Sequence, residues 1–107
     1  MINVTIYRDK DGRYKGFVSR GHADYADEGL DIVCSAVSVL VIGTANSIEK
    51  LTDDRIVSDD SQDGLIKVDF PDGLDHDGDL LMKAMQMNLQ SIEESYSGHI
   101  KLNIEEV

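Results

Sequence analysis

The sequence is poor in the residues that mark several familiar classes of protein. Its 107 residues include one cysteine, one proline and no tryptophan, and 6% are aromatic. A single cysteine cannot form a disulfide within the chain, and a lone thiol suits a reducing compartment such as the cytoplasm. No Cys-x-x-Cys pair is present, so a thiol–disulfide exchange protein is disfavoured.

Basic residues are also scarce. Ten Lys and Arg stand against 21 Asp and Glu, which gives a formal net charge of −11. Nucleic-acid binding depends on neutralising phosphates, so this charge opposes direct contact with DNA or RNA. The same charge would attract a basic protein or peptide, although it also simply keeps a small protein in solution.

The chain has little that suggests export or a membrane. No basic region followed by an apolar run opens the sequence, so no signal peptide is predicted. The most apolar stretch, residues 32–45, contains serine, glycine and threonine, and we expect it to be too short and too polar to span a bilayer. The length fits one domain over residues 1–107, which we expect in the cytoplasm.

The first third of the chain reads as a hairpin followed by a loop. Residues 2–8 alternate between apolar and polar, which predicts a half-buried strand. The segment 9–12 ends in Asp-Gly and predicts a turn, with a second strand over 13–20. Residues 21–30 then predict a glycine-bounded loop.

A helix is predicted from about residue 32 to residue 50, with Asp31 as its N-cap. Its apolar residues cover nearly all directions, which is typical of a helix buried on all sides, between two layers or against a second subunit. Its many β-branched residues leave a buried strand over 37–42 as the local alternative, but the length of the run favours a helix.

The remainder predicts two short strands, a helix and a last strand. Strands are expected at 55–58 and 65–70, joined by a polar turn over 59–64. A helix follows from within 75–79 to about residue 96, and a strand over 100–104 closes the chain. The buried stripe of this second helix is expected to consist of Leu81, Ala84, Met85, Leu89 and Ile92. The fold class is therefore α+β: a ββαββαβ sandwich of mainly antiparallel strands and two helices, the first largely buried.

Cys34 carries the chemistry that can be argued from the residues. If Asp31 caps the helix, Cys34 lies in its first turn, where free amides and the helix dipole favour a thiolate and could stabilise an oxyanion. A cysteine nucleophile also needs a base, and His22 lies twelve residues upstream. Most lone cysteines are inert and buried, however, and this spacing alone does not bring the two side chains together.

Two further polar residues accompany this pair. Asp31 could orient the His22 imidazole or could only cap the helix. Ser38 lies one turn beyond Cys34 on the same helix face, where its hydroxyl could hydrogen-bond within the site or to a backbone carbonyl.

The motif around these residues resembles that of a known family. The glycine, histidine and alanine at 21–23, followed by Gly29-x-Asp31-Ile32-Val33-Cys34-Ser35-Ala36-Val37-Ser38, are similar to the ribosomal-processing cysteine proteases of bacteria, the Prp family. The resemblance covers essentially the whole chain. It implies that Cys34 is the nucleophile and His22 the base, with Asp31 and Ser38 at the other polar positions of the motif.

The resemblance also implies a substrate and an assembly. Members of the family remove a short N-terminal extension from a large-subunit ribosomal protein, cutting after a hydrophobic, Phe-containing stretch. They act as homodimers without metal or organic cofactor. A basic ribosomal precursor suits an acidic enzyme. The alternative function is a non-enzymatic module that binds a ribosomal or other basic protein.

Other acidic and histidine-containing segments fail the tests for a metal site. No segment has the ligand spacing of an EF-hand loop. His76 and His99 have no partner at metal-ligand spacing, and His76 is expected to be an exposed loop residue.

Overall fold

A computed structural model of the chain describes residues 1–21 and 28–107, and of residues 28–31 it describes the backbone alone. The described residues form five strands and two helices in the order ββαββαβ, as predicted. Their bounds are β1 Ile2–Arg8, β2 Tyr14–Arg20, α1 Glu28–Leu51, β3 Val57–Asp59, β4 Leu65–Asp69, α2 His76–Ser95 and β5 Ile100–Glu106.

The strands form one sheet in the order β3-β4-β2-β1-β5. Three of the four pairings are antiparallel, and β1 and β5 alone run parallel among the described strands. One sheet therefore forms the first layer of the sandwich, and the two helices form the second.

The β1–β2 hairpin forms where the Asp-Gly turn predicts it. The Asp9 carboxylate accepts hydrogen bonds of 2.9 Å from the amides of Asp11 and Arg13. Gly12 has a φ of 80°, the left-handed conformation that glycine adopts without strain. The bond from the Arg13 amide is the main reason that the pKa of Asp9 lies below its usual value.

The core lies between the helices and one face of the sheet. Alternation along β1 buries Ile2, Val4 and Ile6, which are paired with Ile100, Leu102 and Ile104 of β5. The helices add their own buried residues to the same cluster, namely Val33, Val37, Val41, Ile48, Met82, Met85 and Leu89. This shared core holds α1 against the sheet, and Cys34 shares a groove with Ile2, Gly21 and Leu65 at the ends of strands.

Helix α1 departs from its prediction in start and in burial. It begins at Glu28 and not near residue 32, so residues 28–30 of the predicted loop belong to the helix, while residues 22–27 of that loop lie outside the described residues. It buries one stripe, whereas Ile32, Val39 and Ile42 are 55%, 73% and 45% exposed. The prediction of a helix buried on all sides is therefore wrong for a single protomer, because an apolar composition does not determine how many partners a helix has.

The apolar part of α1 is also longer than the sequence pattern suggested. The segment Ile32–Leu51, with a mean hydropathy of 1.6, has the length and composition of a membrane-spanning helix. The expectation that this region is too short and too polar is thus wrong on those two criteria. A core helix meets the same criteria, and the buried stripe of α1 packs against the sheet.

Smaller differences concern the second half of the chain. The buried stripe of α2 includes Met82, while the predicted Ala84 is exposed and Leu81 and Ile92 lie at the edge of the core. His76 is exposed as expected, but it is the first residue of α2 and not part of a loop. The predicted and the observed buried stripes of α2 have the same helical period, so the sequence pattern fits both. Tertiary packing determines which of the two is buried.

Candidate active site

Cys34 lies in the second turn of α1, because the helix begins at Glu28. Asp31 is consequently inside the helix, and the prediction that it is the N-cap is wrong. The free amides of a helix are those of its first four residues. Cys34 is the seventh, so the prediction that it lies in the first turn, among the free amides of this helix, is also wrong.

The Cys34 side chain nevertheless reaches a groove. It is partly buried, packs against the core and lines an open groove of about 290 Å³ between α1 and the β3–β4 turn. One wall consists of α1, through Cys34, Val37, Ser38 and Ile42. A thiol at the wall of an open groove can be reached by a peptide, which a core cysteine cannot.

Two hydroxyl groups share this groove with Cys34. Ser38 lies one turn further along α1 and is half-buried, so the structure brings these two predicted residues together. Ser19 of β2 lies at the floor and is 7% exposed. Within residues 1–21 and 28–107, the structure gives no hydrogen bond to either side-chain hydroxyl. Ser38 therefore does not bond to the carbonyl one turn back.

The second wall is the turn between β3 and β4, which the sequence did not indicate as part of a site. Asp60, Gln62 and Asp63 of this turn line the groove opposite Cys34. The Gly21 amide donates a hydrogen bond of 2.9 Å to the Gly64 carbonyl and so joins the end of β2 to the turn. The pairing of Arg20 with Leu65 between β2 and β4 produces this arrangement, and a local sequence pattern does not encode it.

The groove is acidic at one wall and apolar elsewhere. Its described lining includes two carboxylates and no lysine, arginine or histidine. Its apolar surface comes from residues such as Val37, Ile42, Leu65 and Ile66. Such a lining suits a peptide that is both hydrophobic and positively charged.

Two predicted site residues cannot be placed in this groove. His22 lies outside the described residues, and of Asp31 the structure gives only the backbone position in α1. The pairing of Cys34 with His22 therefore stays a prediction. Among the described residues, no cluster of histidine, cysteine or carboxylate side chains has the geometry of a metal site.

Comparison with known proteins gives a consistent result across the chain. The family model for the cysteine protease Prp matches residues 1–101. The ribosomal-processing cysteine protease Prp of Staphylococcus aureus is 34% identical over 104 residues, which are 96% of this chain and 98% of the relative. The Bacillus subtilis protein of the same name is 32% identical over 107 residues, covering 95% and 96% of the two chains.

Solved structures agree with these sequence matches. A crystal structure of the S. aureus protease Prp with a substrate peptide superimposes with a TM-score of 0.90 at 33% identity, over 98% of this chain and all of the other. A second, with a covalently linked product peptide, gives a TM-score of 0.87 at the same identity and coverage.

Proposed function

Because the chain belongs to the Prp family of ribosomal-processing cysteine proteases, we propose that it removes a short N-terminal extension from a basic large-subunit ribosomal protein. The cut falls after a hydrophobic, Phe-containing stretch. The observation that carries this proposal is the position of Cys34, a motif cysteine whose side chain lines an open groove of peptide-binding character.

In the proposed mechanism His22 takes the thiol proton and the Cys34 Sγ attacks the scissile carbonyl carbon. The C–N bond then breaks, the histidine gives its proton to the leaving amine, and a thioester to Cys34 remains. Water attacks the thioester, His22 accepts a proton from that water, and the sulfur leaves as the carboxylic product is released. The covalently linked product peptide of the S. aureus relative supports a covalent step.

The groove supplies what this reaction needs from a binding site. Its apolar surface fits the hydrophobic stretch before the cut, and the Ser38 hydroxyl is available to hydrogen-bond the peptide or the developing oxyanion. We assign Asp31 the role of positioning His22, since it stands at a polar position of the family motif and does not cap α1.

We further propose that residues 1–107 form one catalytic domain that acts as a homodimer in the cytoplasm. The outer face of α1 supports the dimer. Ile32 and Val39 are exposed there, and residues 32–48 contain no Asp, Glu, Lys or Arg. Two copies of a protein with a net charge of −11 repel one another, so an uncharged apolar face is where they can meet.

The test is cleavage of a peptide that carries the extension, with products identified by mass spectrometry. Cys34→Ala should abolish cleavage, and His22→Ala should lower kcat by about 10²- to 10⁴-fold. Intact-mass analysis of the wild type should detect an acyl adduct that maps to Cys34. Cleavage by Cys34→Ala at the wild-type rate would refute the mechanism. Peptide binding by both proteins without cleavage by the wild type would instead indicate the binding module.

A further inference from the structure

The Cys34 groove continues into a smaller pocket of about 110 Å³ along α1. The two share three lining residues, Ile42, Asp60 and Ile66. Asp60 is therefore the charged group at their junction. We propose that Asp60 determines specificity by pairing with a cationic side chain of the peptide substrate, an inference that rests on the proposed protease function.

Asp60 differs from its neighbour Asp59 in what its carboxylate does. The Asp59 carboxylate accepts a hydrogen bond of 2.9 Å from the Ser61 amide, and its bonds to Ser61 hold the pKa of Asp59 below its usual range. The Asp59 carboxylate thus stabilises the turn through this hydrogen bond and does not line the groove. Asp60 is exposed and lines it, and within the described chain it has no hydrogen bond or ion pair.

The position of Cys34 in the same groove indicates that the peptide passes Asp60. Both residues line the groove, and the side chains of Ile42 and Ile66 lie between the groove and the smaller pocket. A peptide whose scissile bond lies at Cys34 and whose chain follows α1 therefore lies along the wall that carries Asp60.

The length of the groove gives the position of the cation in the peptide. Ile42 follows Cys34 by eight residues, which corresponds to about 12 Å along a helix. An extended peptide advances about 3.3 Å per residue, so Asp60 faces a residue roughly three or four positions from the scissile bond. A lysine or arginine there can reach a carboxylate at the groove edge while its aliphatic stem contacts Ile42 and Ile66.

The experiment uses matched peptides that differ at one position. Lysine, norleucine or glutamate replaces each residue two to five positions from the scissile bond, on either side, and kcat/KM is measured for each peptide. For wild type we expect the lysine peptide to exceed the norleucine peptide by about three- to tenfold at one position. Asp60→Asn should remove that preference, so that the lysine and norleucine peptides are cleaved with equal kcat/KM. Asp60→Lys should reverse it in favour of glutamate.

Asp59→Asn is the matched control, because it removes the same charge from the same turn and keeps an oxygen for the Ser61 amide. It should retain the lysine preference. The inference is overturned if wild type shows no lysine preference at any position, or if Asp60→Asn keeps the preference or lowers all rates equally. A wild type that cleaves none of the peptides contradicts the proposed function itself. Thermal unfolding checks that the variants fold.

Discussion

The amide of Gly21 donates to the carbonyl of Gly64 over 2.9 Å, and this one bond connects the segment that leads to His22 with the turn that faces Cys34. The φ of Gly21 is 100°, and a Cβ at this position would lie 2.6 Å from the Met1 carbonyl oxygen. The backbone at the groove mouth thus depends on a residue without a side chain.

Gly21→Ala is expected to lower both stability and activity. The left-handed conformation alone costs about 1–3 kcal/mol for alanine, and the close approach to Met1 adds to it. Gly12→Ala is the control, since its φ is 80° but nothing lies within 4 Å of an added Cβ. Urea unfolding should show a larger loss for Gly21→Ala, which alone should reduce kcat/KM. Equal losses for the two variants would contradict the importance of the contact with Met1.

Ser38→Ala should reduce kcat/KM by about ten- to a hundredfold if its hydroxyl hydrogen-bonds the substrate or the oxyanion. Ser35→Ala is a suitable comparison, because Ser35 is an exposed residue of the same helix that does not line the groove. Peptide cleavage under single-turnover conditions measures both. A Ser38→Ala protein as active as Ser35→Ala would exclude Ser38 from the site.

Stability at high pH should depend on Tyr14. Its phenol is buried and donates a hydrogen bond of 2.8 Å to Gln86, and burial raises its pKa above the ordinary value of 10.0. The unfolded chain therefore releases this proton at a lower pH than the folded protein. The stabilising contribution is complete below pH 10 and is lost as the pH rises through the folded-state pKa.

Tyr14→Phe tests this directly. It should cost about 0.5–1.5 kcal/mol at neutral pH through the lost hydrogen bond. It should also make the free energy of unfolding fall less steeply than in wild type above pH 10. Denaturant unfolding measures the free energy of unfolding of both proteins at each pH. If it falls equally steeply above pH 10 in wild type and in Tyr14→Phe, Tyr14 is not the cause of the fall.

If the proposed dimer forms through the outer face of α1, Val39→Glu should convert it into a monomer, because the substitution places a charge in the middle of that face. Sedimentation velocity over a range of concentrations provides the measurement. Met87→Glu serves as the control, since Met87 is 60% exposed on the other helix and its replacement should leave the dimer intact. A wild type that is monomeric at every concentration, or a dimeric Val39→Glu protein, would disprove this interface.

The local elements were predictable because local chemistry specifies them. The turn at 9–12 forms through the Asp9 carboxylate and Gly12, and both are visible in the sequence. The start of α1 was not predictable, because glycine and aspartate, which occur at Gly29 and Asp31, are also common at the ends of loops and as helix N-caps. The helix begins at Glu28, before both of these residues.

The sequence was sufficient to predict that Cys34 and Ser38 lie together, but it did not reveal the residues on the opposite side of the groove. Cys34 and Ser38 share one helix face, so their spacing was sufficient to place them together. Asp60 comes to the groove through the pairing of β2 with β4, between residues that are 45 positions apart at Arg20 and Leu65. Ser19 lies there because alternation along β2 turns it toward the helices. Both depend on strand order, which periodicity does not reveal.

The parallel pairing of β1 with β5 has a consequence for how the protein is made. Ile2 lies beside Ile100, so the first strand has an edge of unsatisfied backbone groups until the last strand has been synthesised. Contacts so distant in sequence slow folding, because the entropy of closing the whole chain must be overcome before the pairing forms. A nascent chain therefore cannot complete its sheet before residues 100–106 have been synthesised.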